Sequence, residues 1–142
     1  MRGINFPYAW YTSQLNTSIP AIANTNANVV RVVLSNGRQW TRNSGTEITQ
    51  IINLLRQNRL IGVLEVHDCT GYPESSSAAH ISTAVDYWLS SDIRGAINGQ
   101  EACVIINIAN EPFGNNVAAD TYINDHITAI TRLRNAGVQH AL

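Results

Sequence analysis

Apolar runs rich in β-branched residues alternate along this chain with stretches whose apolar positions recur at helical spacing. Asn28–Ser35 (NVVRVVLS), Leu60–Asp68 (LIGVLEVHD) and Cys103–Glu111 (CVIINIANE) are near-continuous, as strands buried on both faces require. Arg2–Pro7 predicts a shorter first strand, stopped by a proline that has no N–H for a ladder. Residues 18–27 predict a short helix with Ser18 as cap and Pro20 in its first turn. Ser44-Gly45-Thr46-Glu47 has the form of a capping box, and Ile48, Ile51, Ile52 and Leu55 then share one helical face. Ile81, Ala84, Val85 and Trp88 repeat that spacing. Ala119, Ile123, Ile127 and Ile130 predict the buried face of a last helix, with Gly137 as its C-cap. Val138–Leu142 then predicts entry into a fifth strand.

Strands alternating with helices through short connections imply an α/β fold with a parallel sheet and right-handed crossovers. A doubly wound open sheet and half of an eight-stranded barrel both fit this order. No G-x-G-x-x-G or P-loop pattern follows a strand, which weakens a nucleotide-binding sheet. Side chains alternate along a strand, so Arg31 shares a face with Val33 and Ser35, His67 with Glu65 and Val63, and Glu111 with Asn107 and Ile105. The opposite faces are aliphatic. One polar and one aliphatic face favour a barrel with a charged site at its top. Buried charges need partners, so Arg31 and Glu65 are expected to pair and leave Glu111 free for chemistry at a strand's carboxyl end. The plainer alternatives are an architectural ion pair, a hydrogen-bonded core histidine at His67 and a solvated carboxylate at Glu111. Glu65, His67 and Asp68 gather at one strand end, but successive residues point to opposite faces and no second histidine joins them. Neither a metal site nor a cofactor is therefore expected. His80, His126 and His140 fall on helices or at their ends and receive no role.

The length of 142 residues and an apolar content of 44% fit one domain, residues 1–142, with a real core. A formal charge of −1 gives no attraction for nucleic acid or an anionic membrane surface. No apolar run approaches the ~20 residues of a membrane span, and no leader pattern opens the chain. Cys69 lies past the top of one predicted strand and Cys103 at the bottom of the next, too far apart for a disulfide, so both are expected as free thiols.

The segments MRGINFPYAWY, VVRVVLSNG, LEVHDCTGY and IINIANEPFG, in this order and at these intervals, closely resemble bacterial β-mannanases of glycoside hydrolase family 5. The resemblance covers essentially the whole chain. Asn-Glu-Pro marks the wider clan, while LEVHD followed by TGY points to the mannanase branch rather than the cellulases. The resemblance implies the first four strand–helix units of a TIM (β/α)8 barrel, a partial catalytic domain cut before strand five. It also implies a secreted enzyme that hydrolyses internal β-1,4-mannosidic bonds of mannan with retention. By position, Glu111 matches the catalytic acid/base and Asn110 the asparagine that contacts the sugar 2-hydroxyl. Arg31 matches the arginine that orients the nucleophile, and His67 the active-site histidine of strand three. Trp10 and Tyr72 match loop aromatics that stack on sugar rings, with core packing the rival for Trp40 and Trp88. Phe6 and Tyr8 stand where relatives often have histidine, and Cys69 where threonine is usual. The nucleophilic glutamate of strand seven has no counterpart here. The resemblance thus implies a chain inactive alone and prone to self-association through open sheet edges. A carbohydrate-binding half-barrel without catalysis and a β-1,4-glucanase remain the alternatives.

Overall fold

The computed structural model describes residues 1–142. It contains a four-stranded parallel sheet in sequence order, built from β1 (Gly3–Phe6), β2 (Val29–Leu34), β3 (Ile61–Val66) and β4 (Val104–Asn107). Helices α1 (Leu15–Asn24), α2 (Gly45–Gln57), α3 (Ile81–Leu89), α4 (Ser91–Ile97) and α5 (Ala119–Asn135) follow the strands and cover one face. Val30, Val32, Leu34, Leu64, Val66 and Ile106 bury their side chains in the core shared with these helices, as the aliphatic strand faces predict. Register sets Arg31 beside Val63, Val33 beside Glu65, and Glu65 beside Asn107, so the polar face is continuous across three strands.

Local signals explain most element ends. The Ser44–Glu47 capping box is formed in both directions, and Ile48, Ile51, Ile52 and Leu55 are buried. Gly137 follows α5 in the left-handed conformation at φ 82°, with Val138 N–H reaching back to Leu133 O at 3.0 Å. Cys69 and Cys103 are both free thiols. Residues past β4 begin to return to the sheet, since Ala141 bridges Ile105 in parallel. No helix is long and apolar enough to cross a membrane.

Several expectations are corrected. Helix α1 begins at Leu15, with Pro20 inside it rather than in a first turn capped by Ser18. Leu15, Ile19 and Ile22 lie on one buried stripe, and that packing holds the turn ahead of the proline. An extra helix, α4, follows α3 after Ser90 and buries Ile93 and Ile97. Strand β4 ends at Asn107 instead of continuing to Glu111. The largest departure is the face of α5. Ala129 and Leu133 are buried, while Ile123, Ile127 and Ile130 are 50%, 56% and 41% exposed. Helix α5 thus turns Ala129 and Leu133 toward α3 and leaves its isoleucine stripe uncovered.

Candidate active site

The polar strand face gathers into one connected cluster. Glu65, near the end of β3, is fully buried. Its Oε2 lies 3.0 Å from Arg31 Nη2, which rises from the middle of β2, and its Oε1 lies 3.0 Å from His67 Nδ1. Arg31 directs its hydrogens onward: Nη1 donates to Asn5 Oδ1 at 2.8 Å and Nη2 to Asn110 Oδ1 at 2.6 Å. Glu65 Oε2 therefore has the guanidinium charge beside it but no well-aligned hydrogen bond. Burial pushes the Glu65 carboxyl up to about 7, with the Arg31 charge opposing the rise and Asp68 adding to it. Burial and the same arginine hold the His67 imidazole below its ordinary range.

The raised carboxyl has a definite sign for stability. A native state that binds this proton more tightly is favoured fully below the ordinary value of 4.5 and loses that advantage as pH rises through about 7. Glu65→Gln, neutral throughout, should become more stable relative to the parent across that window, by on the order of 3 kcal/mol. Denaturation curves of the two proteins at several pH values between these limits check this. A difference that does not change with pH would contradict it.

Asn110 is fixed at both ends of its amide. Its Oδ1 accepts from Arg31 and its Nδ2 donates to Thr70 Oγ1 at 2.9 Å, leaving a second N–H unspent. Its backbone N–H bonds Val66 O at 2.8 Å, and Trp88 Nε1 donates to Ile108 O at 2.9 Å, so the segment beyond β4 still hugs the sheet.

Glu111 is not the buried strand-end carboxylate that the sequence predicts. It is exposed, and Pro112 takes the buried position. Its backbone lies in the left-handed region at φ 35°, which costs a residue with a side chain about 1–3 kcal/mol. A bond from Gly71 N–H to Glu111 O at 2.9 Å helps to hold that turn. The side chain lines an open cleft of about 830 Å³ together with Thr70, Glu74, Phe113, Tyr122 and His126. A carboxyl group displayed this way in an open cleft can exchange protons with a bound molecule.

The aromatic residues separate into two places. Trp10 is 42% exposed and stands edge-on to His67 at 5.2 Å and to Trp40 at 5.0 Å. Trp40 lies 5.8 Å from the same imidazole, so it belongs to this cluster and not to the core. Trp88 is the core tryptophan, fully buried. Tyr72 packs edge-on against His80 at 5.2 Å and lines a neighbouring groove with Phe113 and Asp125 rather than the cleft that holds Glu111.

Asp68 lies in the turn just past β3 and directs its carboxylate to the loop after β2. Its carboxylate accepts from Ser35 Oγ at 3.0 Å, Asn36 N–H at 3.1 Å and Gln39 N–H at 2.8 Å. This buried anion shapes the loop that carries Trp40. Sequence reasoning missed Trp40, Thr70 and this role of Asp68. Only the placement of Asp68 on an otherwise aliphatic strand face hinted at it.

Comparison with known proteins decides the family. The model for cellulase (glycosyl hydrolase family 5) matches residues 1–142. The chain belongs to glycosyl hydrolase family 5. A mannan endo-1,4-beta-mannosidase of Cellvibrio japonicus is 54% identical over 142 residues, and one of Salipaludibacillus agaradhaerens is 44% identical. The family-5 chain is matched along its whole length in both, yet spans only 32% and 44% of theirs. A β-mannanase of Thermomonospora fusca in complex with mannohexaose superposes with a TM-score of 0.93 at 44% identity, covering 99% of this chain and 46% of that one. The parallel four-stranded sheet and its helices are accordingly the first half of the family's TIM barrel.

Proposed function

We propose that these residues form the acid/base side of a retaining endo-β-1,4-mannanase whose second carboxylate lies outside them. The carrying observation is the exposed Glu111 carboxyl in an open cleft, directly after Asn110 in sequence, whose amide is held at both ends. Glu111 donates a proton to the leaving glycosidic oxygen and, as carboxylate, then takes one from the water that releases the sugar. The free N–H of Asn110 serves the 2-hydroxyl of the sugar at the cleaved bond. Arg31 orients the nucleophile while neutralising Glu65, and His67 is steadied by Glu65 and by Trp10 and Trp40. Trp10 offers an exposed ring for stacking on a sugar, and Tyr72 offers one in the adjoining groove.

Glu65 does not replace the nucleophile. It is fully buried and committed to Arg31 and His67. No metal or cofactor enters this reading. The partner is a β-mannan chain or oligosaccharide. Hydrolysis of so large a polymer places the full-length enzyme outside the cell. Taken alone, the 142-residue chain associates with itself through the uncovered isoleucine stripe of α5.

Mannan is favoured over cellulose because the mannan endo-1,4-beta-mannosidases of Cellvibrio japonicus and Salipaludibacillus agaradhaerens share 54% and 44% identity with this chain, whereas a superposable family-5 cellulase shares 19%. Profiling of the complete barrel on mannan, glucomannan and a soluble cellulose checks this. Hydrolysis of mannan at least tenfold faster than of the cellulose is expected, and the reverse order would instead support the glucanase reading.

A further inference from the structure

The loop between β3 and α3 is fastened to the segment that carries Glu111, and a second carboxylate takes part in the fastening. Gly71 N–H donates to Glu111 O at 2.9 Å, and Gly114 N–H donates to Tyr72 O at 2.7 Å. The third tie is a side chain: Glu74 Oε1 accepts Asn116 N–H at 2.6 Å. Its carboxyl lies directly over the Gly114 α-carbon, where an added Cβ would overlap it. These ties fasten Glu111, whose left-handed backbone needs outside support, and the residues that follow it.

We propose that Glu74 is a positioning residue for Glu111, acting through the backbone of residues 114–116 and not through its charge. The inference rests on Glu111 as the acid/base. Losing the tie lets the turn relax, and the carboxyl that must meet the leaving oxygen wanders from it. Misplacement of this kind slows chemistry more than binding.

Two variants separate reach from charge. Glu74→Gln keeps the length and an acceptor oxygen but loses the charge. Glu74→Asp keeps the charge but is one methylene too short for Asn116. In the complete barrel, Glu74→Asp should lower kcat on mannan roughly ten- to a hundredfold with KM little changed, whereas Glu74→Gln stays within about twofold of the parent. Gly114→Ala, which displaces the Glu74 carboxyl, should resemble Glu74→Asp. Equal losses in the Gln and Asp variants, a change confined to KM, or no change in either overturns the proposal. Amide exchange in the 142-residue chain tests the tie itself, without reference to catalysis. Asn116 N–H should exchange slowly in the parent and in Glu74→Gln, and fast in Glu74→Asp. Exchange that is equally fast in all of them removes the tie whatever Glu111 does. An active Glu111→Gln enzyme removes the acid/base reading and leaves the tie standing.

Discussion

Purified as it stands, the 142-residue chain is expected to release no reducing sugar from mannan above background. A retaining glycosidase needs two carboxyl groups about 5–5.5 Å apart on either side of the scissile bond, one to protonate and one to attack. Among Glu65, Asp68, Glu74 and Glu111, only Glu111 has no side-chain tie. Glu65 is sealed between Arg31 and His67, Asp68 holds the loop after β2, and Glu74 is tied to Asn116. Removing the nucleophile from a covalent mechanism removes essentially the whole rate enhancement, so the expected loss is complete. The same preparation should associate. Ile123, Ile127 and Ile130 form an exposed apolar stripe, and the adjacent groove of about 290 Å³ is lined by Ile105, Ile106, Ile108 and Leu142. Light scattering after size exclusion should therefore show a mass above 15.6 kDa that rises with concentration. Mannan hydrolysis lost on Glu111→Ala, from a strictly monomeric preparation, would contradict both halves of this expectation.

The barrel interior is less open than half a barrel suggests. Val33 and Glu65 remain buried, and Val63 and Ile105 are half-buried. Part of the β4 edge is also taken, because Ile106 N–H donates to Ala141 O at 2.9 Å. The helical stripe, more than the sheet edges, is therefore the surface expected to drive association.

The strands, their order and the Arg31–Glu65 pair were legible from sequence because each depends on periodicity and pairing of charges. A β-branched run specifies a strand, and two charges on the same inward face need each other. What escaped depends on partners distant in sequence. The isoleucine stripe of α5 has the spacing of a buried face, but spacing does not say whether anything lies opposite. Ala129 and Leu133 face α3 instead. The turn at Glu111 departs from the extended conformation favoured ahead of Pro112, because Gly71 N–H holds Glu111 O from the neighbouring loop and Val66 O holds the Asn110 N–H from β3. Trp40 follows a polar turn, and nothing local brings it to His67; the Asp68 carboxylate does so by gathering the loop N–H groups.

On the proposed acid/base role, Glu111 protonates the leaving glycosidic oxygen in the complete barrel. Glu111→Gln should then cut turnover of mannan by about 10²–10⁴-fold, the usual contribution of a positioned acid to a poor leaving group. Substrates with good leaving groups need little protonation in the glycosylation step and should react there nearly as fast as with the parent. The decisive measurement is the pre-steady-state glycosylation rate of Glu111→Gln in the complete barrel, on aryl mannosides whose leaving groups span a wide range of acidity. A loss that deepens steadily as the leaving group worsens, and vanishes for the most acidic phenol, is the expected result. An equal loss on every substrate would contradict the acid role of Glu111.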